Sequence, residues 1–329
     1  MSWLDATMVG FDTETTGIST ERDRIVTAAI ITRTGSETST RDWLIDPGVE
    51  IPERATEVHG ITTERARAEG VQPADALEEI AGALAEALVA GVPVVGFNVQ
   101  YDLSILEAEL ARNSLPSLAS RVPAGVRPIV DPYVLDRHLD RFRKGKRKLI
   151  DLCTLYAVPV VADDLHAADA DVLATLDLVH ALAAAYPTIR EVDLDALHDQ
   201  QMAAHRAWAT NFAAWLTSRG RTDDLPRPEW PVALAPTPGD TAALDTAAPE
   251  DLTPSAAPAN LIAPDGSTGS DGAAAPADTA APDTVTPDTA APDTVEPEPA
   301  PAEPHSPRVP RAPRAPASDP PQSGTESLF

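Results

Sequence analysis

An apolar run that ends directly in two acids constrains this chain more than any other stretch. Residues 8–11, Met-Val-Gly-Phe, read as a buried strand, and Asp12 and Glu14 follow at once. On a strand, positions i and i+2 point to the same face. Two carboxylates held that close repel each other unless a cation sits between them. Hard divalent ions such as Mg²⁺ prefer carboxylate oxygen, so the pair reads as part of a metal site. A bare Asp-x-Glu also serves as a polar strand end running into a Thr-Thr-Gly turn, so the rest of the chain has to decide between the two.

Composition divides the chain unequally. Of its 33 prolines, 23 lie from Pro226 onward, which leaves residues 1–225 for folded structure, enough for a sizeable core. The net charge of −26 is shared by both parts, with 16 acids against 4 bases in 226–329. An acidic domain is not the usual footprint of a nucleic-acid binder, so any such role must rest on a local basic patch. The lone Cys153 rules out an intrachain disulfide. The opening M-S-W-L-D-A-T has neither the basic nor the apolar part of a secretory signal. Apolar runs stay below the ~18 residues that span a bilayer. The expectation is a cytoplasmic protein without membrane association.

Strands over 24–33 and 38–45, the latter ending at Asp46-Pro47-Gly48, follow the first and imply an antiparallel meander. Short helical pieces occupy 52–67, and Ala76, Leu77, Ile80, Leu84 and Leu88 mark a helix over 73–89. A fourth strand at 93–97, a helix over 103–113 and a short fifth strand at 129–130 come next. Helices over 132–139, 149–156, 169–185 and 194–219 complete the pattern, the last presenting Trp208, Phe212 and Trp215 on one face. This is an α/β fold, a mixed sheet flanked by helices. The domain reading is a catalytic domain over 1–190, a C-terminal helix over 191–225 packing on it, and a disordered tail over 226–329. The tail repeats D-T-A-A-P-D-T-V at 278–285 and 288–295 and is nearly free of aromatics, so it cannot offset chain entropy by burial.

Further chemistry-bearing residues lie downstream. Asp102 follows the fourth strand within G-F-N-V-Q-Y-D, and His166 and Asp171 lie in H-A-A-D-A-D. Together F-D-T-E-T-T-G, N-V-Q-Y-D and H-A-A-D-A-D resemble the three motifs of the DEDD exonucleases, in the histidine-bearing, DnaQ-like subgroup typified by bacterial proofreading subunits. The resemblance covers roughly residues 5–185, and V-H-G-I-T at 58–62 fits it as well. It implies a ribonuclease H-like fold and 3′–5′ exonuclease activity with two Mg²⁺ or Mn²⁺ ions. It assigns Asp12, Glu14, Asp102 and Asp171 as ligands and His166 as general base. Thr15, His59, Asn98 and Tyr101 would line the pocket for the terminal nucleotide. Phe97 departs from the pattern, since many relatives have His there, which bears on nucleotide contacts rather than on the metal site.

Between Asp136 and Lys148 lie seven bases, among them Lys144, Lys146, Arg147 and Lys148, the one basic cluster of an acidic domain. Phosphate-backbone contact is the expected role. The substrate reading is the 3′ end of single-stranded DNA, in proofreading or repair. RNA or short oligoribonucleotides form the alternative within the same chemistry, because a backbone-reading cleft does not by itself exclude the 2′-OH. A non-catalytic nucleic-acid scaffold is the alternative outside it. The last residues, Thr325, Glu326, Ser327, Leu328 and Phe329, partly resemble the short peptide by which replication and repair proteins bind the sliding clamp. That resemblance names the clamp as an expected partner.

Overall fold

The computed structural model describes residues 2–160, 167–223 and 225–233. Strand β1 (Met8–Thr15) runs past its apolar residues and through both acids, because pairing with β2 (Ile25–Thr34) continues to Thr15 opposite Ile25. β3 (Glu37–Leu44) pairs antiparallel with β2, completing the meander. On the other side of β1, β4 (Val94–Val95) and β5 (Ile129–Val130) are added in parallel, giving the order β3-β2-β1-β4-β5. This is the mixed, ribonuclease H-like sheet anticipated above.

Helices α1 (Glu53–His59), α2 (Thr63–Glu69) and α3 (Pro73–Val89) precede β4. α4 (Gln100–Arg112) and α5 (Leu118–Arg121) lie between β4 and β5. After β5 come α6 (Pro132–Leu139), α7 (Leu149–Leu155), α8 (Ala168–Ala185), α9 (Thr188–Glu191) and α10 (Leu194–Ser218). Most boundaries lie within one residue of the sequence expectation, and larger differences fall at β4 and at the start of α4. β4 is shorter than 93–97, because Gly96 passes close beneath the Phe11 carbonyl and Asn98 adopts φ 57°, turning the chain out of the sheet. α4 consequently starts at Gln100 rather than at 103. Its polar first turn, Gln100-Tyr101-Asp102, carries no apolar periodicity to read.

Alternation along β1 sorts the core into two layers. Val9 and Phe11 pack with Leu77, Ile80 and Leu84 of α3 and Leu103 and Leu106 of α4. Met8, with Ala29 and Ile31 of β2, packs with Val172, Leu176 and Val179 of α8. Gly10 belongs to this second face. A Cβ there would lie 2.3 Å from Val172 Cγ1 and 3.2 Å from Leu176 Cγ, so α8 approaches β1 more closely than any side chain would permit.

The edge of the sheet is closed by α10. His198 Nδ1 accepts the Ile129 N–H at 3.1 Å, and Gln201 both accepts the Asp131 N–H at 2.7 Å and donates to the Ile129 carbonyl at 3.0 Å. Side chains thus take the ladder positions that an edge strand leaves open. Trp208, Phe212 and Trp215 form a ladder of ring contacts along α10, and the Arg137 guanidinium of α6 lies 3.6 Å from the Trp208 ring centroid.

The tail boundary at 226 is corrected. Residues 225–233 return across the domain, and Trp230 is 4% exposed, its ring 5.0 Å from that of His198. Gln100 Nε2 donates to the Glu229 carbonyl, Arg227 pairs with Glu21, and Ala233 N–H donates to Ser104 Oγ at 2.8 Å. The proline count gives no weight to one apolar anchor in a polar stretch. The repeats and residues 325–329 lie outside the described residues. Among the described residues, no helix is long and apolar enough to cross a membrane.

The Gly10 contact yields a direct test. Gly10→Ala overpacks the β1–α8 interface and is expected to destabilise by about 1–3 kcal/mol in urea unfolding. Adding Val172→Ala should recover most of that loss. A Gly10→Ala protein as stable as wild type would show that α8 is free to move away.

Candidate active site

Asp12 and Glu14 project from the same face of β1 as Gly10, and Asp171 stands in the first turn of α8 on that face. One carboxylate oxygen from each of the three lies within 4.8 Å of the others, and all three side chains are half-buried. The close β1–α8 approach at Gly10 makes this convergence possible. Asp102 arrives from the opposite layer, on the first turn of α4, and is 4% exposed. Its pairing at this point is enabled by the short β4, which stops opposite Gly10 and leaves the next β1 groups without a strand partner. Asp102 Oδ1 accepts both the Thr13 N–H at 3.1 Å and the Thr13 hydroxyl at 2.7 Å. The structure therefore gathers three of the four expected ligands into one oxygen cluster. It places the fourth directly behind them, tied to β1.

The electrostatics agree with a cation site. Burial, followed by the charges of Asp102, Asp171 and Glu14, pushes the Asp12 carboxyl well above the usual range. Burial, then Asp171 and Asp102, raises Glu14 to about 8. Burial raises Asp102 to about 7 against the opposing hydrogen bonds from Thr13 and the backbone. Carboxylates this reluctant to ionise together are relieved by a divalent ion among their oxygens. An all-oxygen donor set suits Mg²⁺ or Mn²⁺.

A pH prediction follows. Because the folded-state values lie above those of the unfolded chain, the metal-free folded protein holds protons that the unfolded chain has released between about pH 4 and 8. Its stability should fall as pH rises through that window. A divalent ion should raise the melting temperature strongly at pH 8 and little at pH 5, which a thermal-shift titration at both pH values measures. Equal shifts at the two would remove the carboxylates as the cause.

Of the expected nucleotide-pocket residues, Thr15 follows Glu14 on β1 and Tyr101 lies within reach of the charges of Asp102 and Glu14. The Thr15 and Tyr101 hydroxyls lie 2.8 Å apart and both within hydrogen-bond distance of the Gly17 carbonyl, so one donates to that carbonyl and the other donates either to it or to its neighbouring hydroxyl, fixing the turn after β1 against α4. His59 Nδ1 accepts the Ile61 N–H at 3.1 Å, which puts the ring proton of the neutral form on Nε2. That Nε2 is buried and makes no hydrogen bond of ordinary geometry among the described residues, with the Thr15 backbone beside the ring. Burial lowers the His59 pKa, partly offset by the Thr15 backbone beside it, and so keeps the ring neutral. Asn98 has a backbone role: its left-handed φ and its N–H, which donates to Asp131 Oδ1 at 3.0 Å, set the turn into α4. Phe97 packs on Tyr133 with ring centroids 5.6 Å apart. His166 lies outside the described residues.

The basic run is divided in two. Arg147 Nε and Arg143 NH2 each meet Asp136 Oδ2 at 2.8 Å, and Tyr156 donates to Asp136 Oδ1 at 2.7 Å. Asp136 is fully buried, so these arginines serve as its counterions. Arg147, expected at a phosphate, is thus engaged in a structural ion pair with Asp136. Lys144 and Lys146 remain exposed on the loop, and the backbone N–H of Lys148 is bonded to Asp151 Oδ2 at 3.1 Å. Arg147→Ala should cost about 1–3 kcal/mol of stability by weakening the partners of a buried carboxylate. Lys144→Ala with Lys146→Ala should leave stability unchanged. The double change should reduce the salt slope of single-strand binding by about 1.4, at about 0.7 per phosphate contact. Reversed outcomes in melting and salt titrations would reverse these two roles.

Sequence reasoning missed Asp131, which is 1% exposed and accepts the N–H groups of Asn98, Val99, Tyr133 and Val134. It joins the turn of the second motif to the start of α6. The signal was present as Asp before Pro132, an N-cap followed by proline in the first helical position. Nothing local marks its second function as an acceptor for Asn98 and Val99, 33 and 32 positions earlier.

Half-buried carboxylates at the end of a central strand and at the start of the helix packed on it fit a divalent-cation site. Residues 9–179 match the model of the RNase T exonuclease family. The chain belongs to that family, the DnaQ-like 3′–5′ exonucleases. It is 29% identical over 178 residues to the PolC-type DNA polymerase III of Lacticaseibacillus paracasei, covering 54% of this chain and 11% of that protein. The PolC-type enzyme of Streptococcus thermophilus is 30% identical over 137 residues, 41% of this chain and 8% of the relative. The chain thus spans only about a tenth of the length of the polymerases it matches. Among solved structures, E. coli exonuclease I in complex with a dA16 oligonucleotide is similar with a TM-score of 0.49 and 20% identity, covering 61% of this chain and 44% of that one.

Proposed function

We propose that this chain removes nucleotides one at a time from the 3′ end of single-stranded DNA by hydrolysing the terminal phosphodiester bond. The observation that carries the reading is the cluster of Asp12, Glu14 and Asp171, in which the Asp12 and Glu14 carboxyl pKa values are raised, beside the His59 Nε2 that makes no hydrogen bond among the described residues. Asp12, Glu14, Asp171 and, from behind, Asp102 would hold Mg²⁺ or Mn²⁺. When bound, such ions activate the attacking water and stabilise the charge developing on the leaving 3′ oxygen. The chain's own part is positional. Tyr101 and Thr15 hold the turn at Gly17 as one wall for the terminal nucleotide, and the His59 Nε2–H offers a hydrogen bond to an acceptor on it. His166, just before α8, takes the proton of the attacking water as general base. The water oxygen bonds to phosphorus, the 3′ oxygen of the preceding nucleotide leaves with a proton, and a nucleoside 5′-monophosphate is released.

DNA is favoured as substrate by the polymerases among the relatives, which also makes proofreading or repair the natural setting. Labelled DNA and RNA oligomers, degraded side by side by the full chain, test this directly. Asp12→Ala and Asp171→Ala should each lower the rate by about three orders of magnitude or more. His166→Ala should lower it roughly 10²–10⁴-fold, with the residual rate rising with pH as hydroxide replaces the base. Full activity in excess EDTA would overturn the metal assignment, and faster loss of RNA than of DNA would overturn the substrate.

A further inference from the structure

Asp136 braces an unusual loop. Arg143 and Arg147 converge on its carboxylate, Arg147 NH2 donates to the Asp140 carbonyl at 2.7 Å, and Arg143 NH1 donates to the Lys146 carbonyl at 3.1 Å. A loop fixed so firmly at its base nevertheless carries an apolar residue at its tip. Phe142 is 89% exposed, more than Ile18 at 66% or Val89 at 63%. Its one ring contact among the described residues is the Arg141 guanidinium, 5.7 Å from the centroid. Lys144 and Lys146 are exposed beside it. Exposing a phenyl ring on a braced loop gains nothing for folding.

The surroundings identify what would cover the ring. In a chain of net charge −26, an exposed aromatic amid cations is complementary to a polyanion that also carries flat π faces. Single-stranded nucleic acid combines the two, phosphates for the cations and bases for the ring. The loop's position suits such a strand. α6 starts beside Asp131, whose carboxylate holds the Asn98 and Val99 N–H groups at the site, and its eight residues carry the chain about 12 Å to the loop. We infer that Phe142 is a base-stacking platform that holds the single strand a few nucleotides upstream of the 3′ end, with Lys144 and Lys146 on the adjacent phosphates. This rests on the exonuclease reading and adds a second point of grip to it. The platform favours unpaired bases, since a duplex presents no free π face there.

The test separates grip from chemistry. Binding of the full chain to an oligothymidylate of about 12 nucleotides is measured in EDTA, where no hydrolysis occurs. Phe142→Ala should weaken that affinity roughly 5- to 150-fold, the range for loss of one stacked base, while Phe142→Trp should retain it. An oligomer with abasic residues at the second to fifth positions from the 3′ end should bind wild type and Phe142→Ala equally. In the presence of divalent ions, hydrolysis of a dinucleotide, too short to reach the loop, should be unaffected by Phe142→Ala. Equal affinity of wild type and Phe142→Ala for the 12-mer would overturn the platform and leave the ring to a protein partner. The same loss on the abasic oligomer would overturn it too, by showing that no base is stacked. A wild type that binds the 12-mer through Phe142 but cleaves no 3′ end would overturn the exonuclease reading and uphold the platform.

Discussion

The site depends on how closely one helix can lie on one strand. With no side chain at Gly10, α8 settles against β1, and Asp171 in its first turn comes into register with Asp12 and Glu14. The same packing that brings the acids together supplies their burial, so convergence and electrostatic stress have a single origin. Gly10, Asp12 and Glu14 occupy successive positions on one face of the strand. The strand period thus couples a packing requirement to a chemical one, and neither can be moved without the other.

Asp102 solves a different problem. Past β4 the edge of β1 has lost its strand partner, and a buried N–H there has to be satisfied. The Asp102 carboxylate does so with one oxygen, from the layer opposite α8. One group therefore completes the backbone of the sheet and adds negative potential behind the cluster. The loss of charge or of geometry at Asp102 would act on the site through Thr13 as well as directly.

How much of this was legible in the sequence depends on whether the cause was local. Asp12 and Glu14 announce themselves through their spacing after an apolar run, whereas Asp102 and Asp171 stand out only through the resemblance of their motifs to a known family. Long elements such as α3, α8 and α10 were readable from periodicity, within one residue of their observed ends. The pairing of Arg147 with Asp136 is not legible, because a run of cations shows its charge but not its counterion. Asp136 is buried where α6 packs against α8 and α10, far along the chain, with the Tyr156 hydroxyl donating to it. The early start of α4 escaped because a polar helical turn has no hydrophobic pattern. His59 was read as a pocket residue from its motif, whereas its bonding, a satisfied Nδ1 and an Nε2 without a hydrogen bond of ordinary geometry, exists only in three dimensions.

The returning segment 225–233 has a practical meaning for engineering this domain. Composition places the natural cut at 226, yet a truncation there would strip the acceptor of Gln100 Nε2 at the Glu229 carbonyl and uncover the His198 ring. Gln100 directly precedes Tyr101 and Asp102. The first residue lost to such a cut would be remote in sequence from the motifs, but its removal would leave Gln100 Nε2 with only His205 Nε2, at 3.2 Å, on the turn that presents Tyr101 and Asp102. A reporter, linker or fusion partner joined after Ala233 keeps that closure intact, and the junction leaves the domain from beside Ser104.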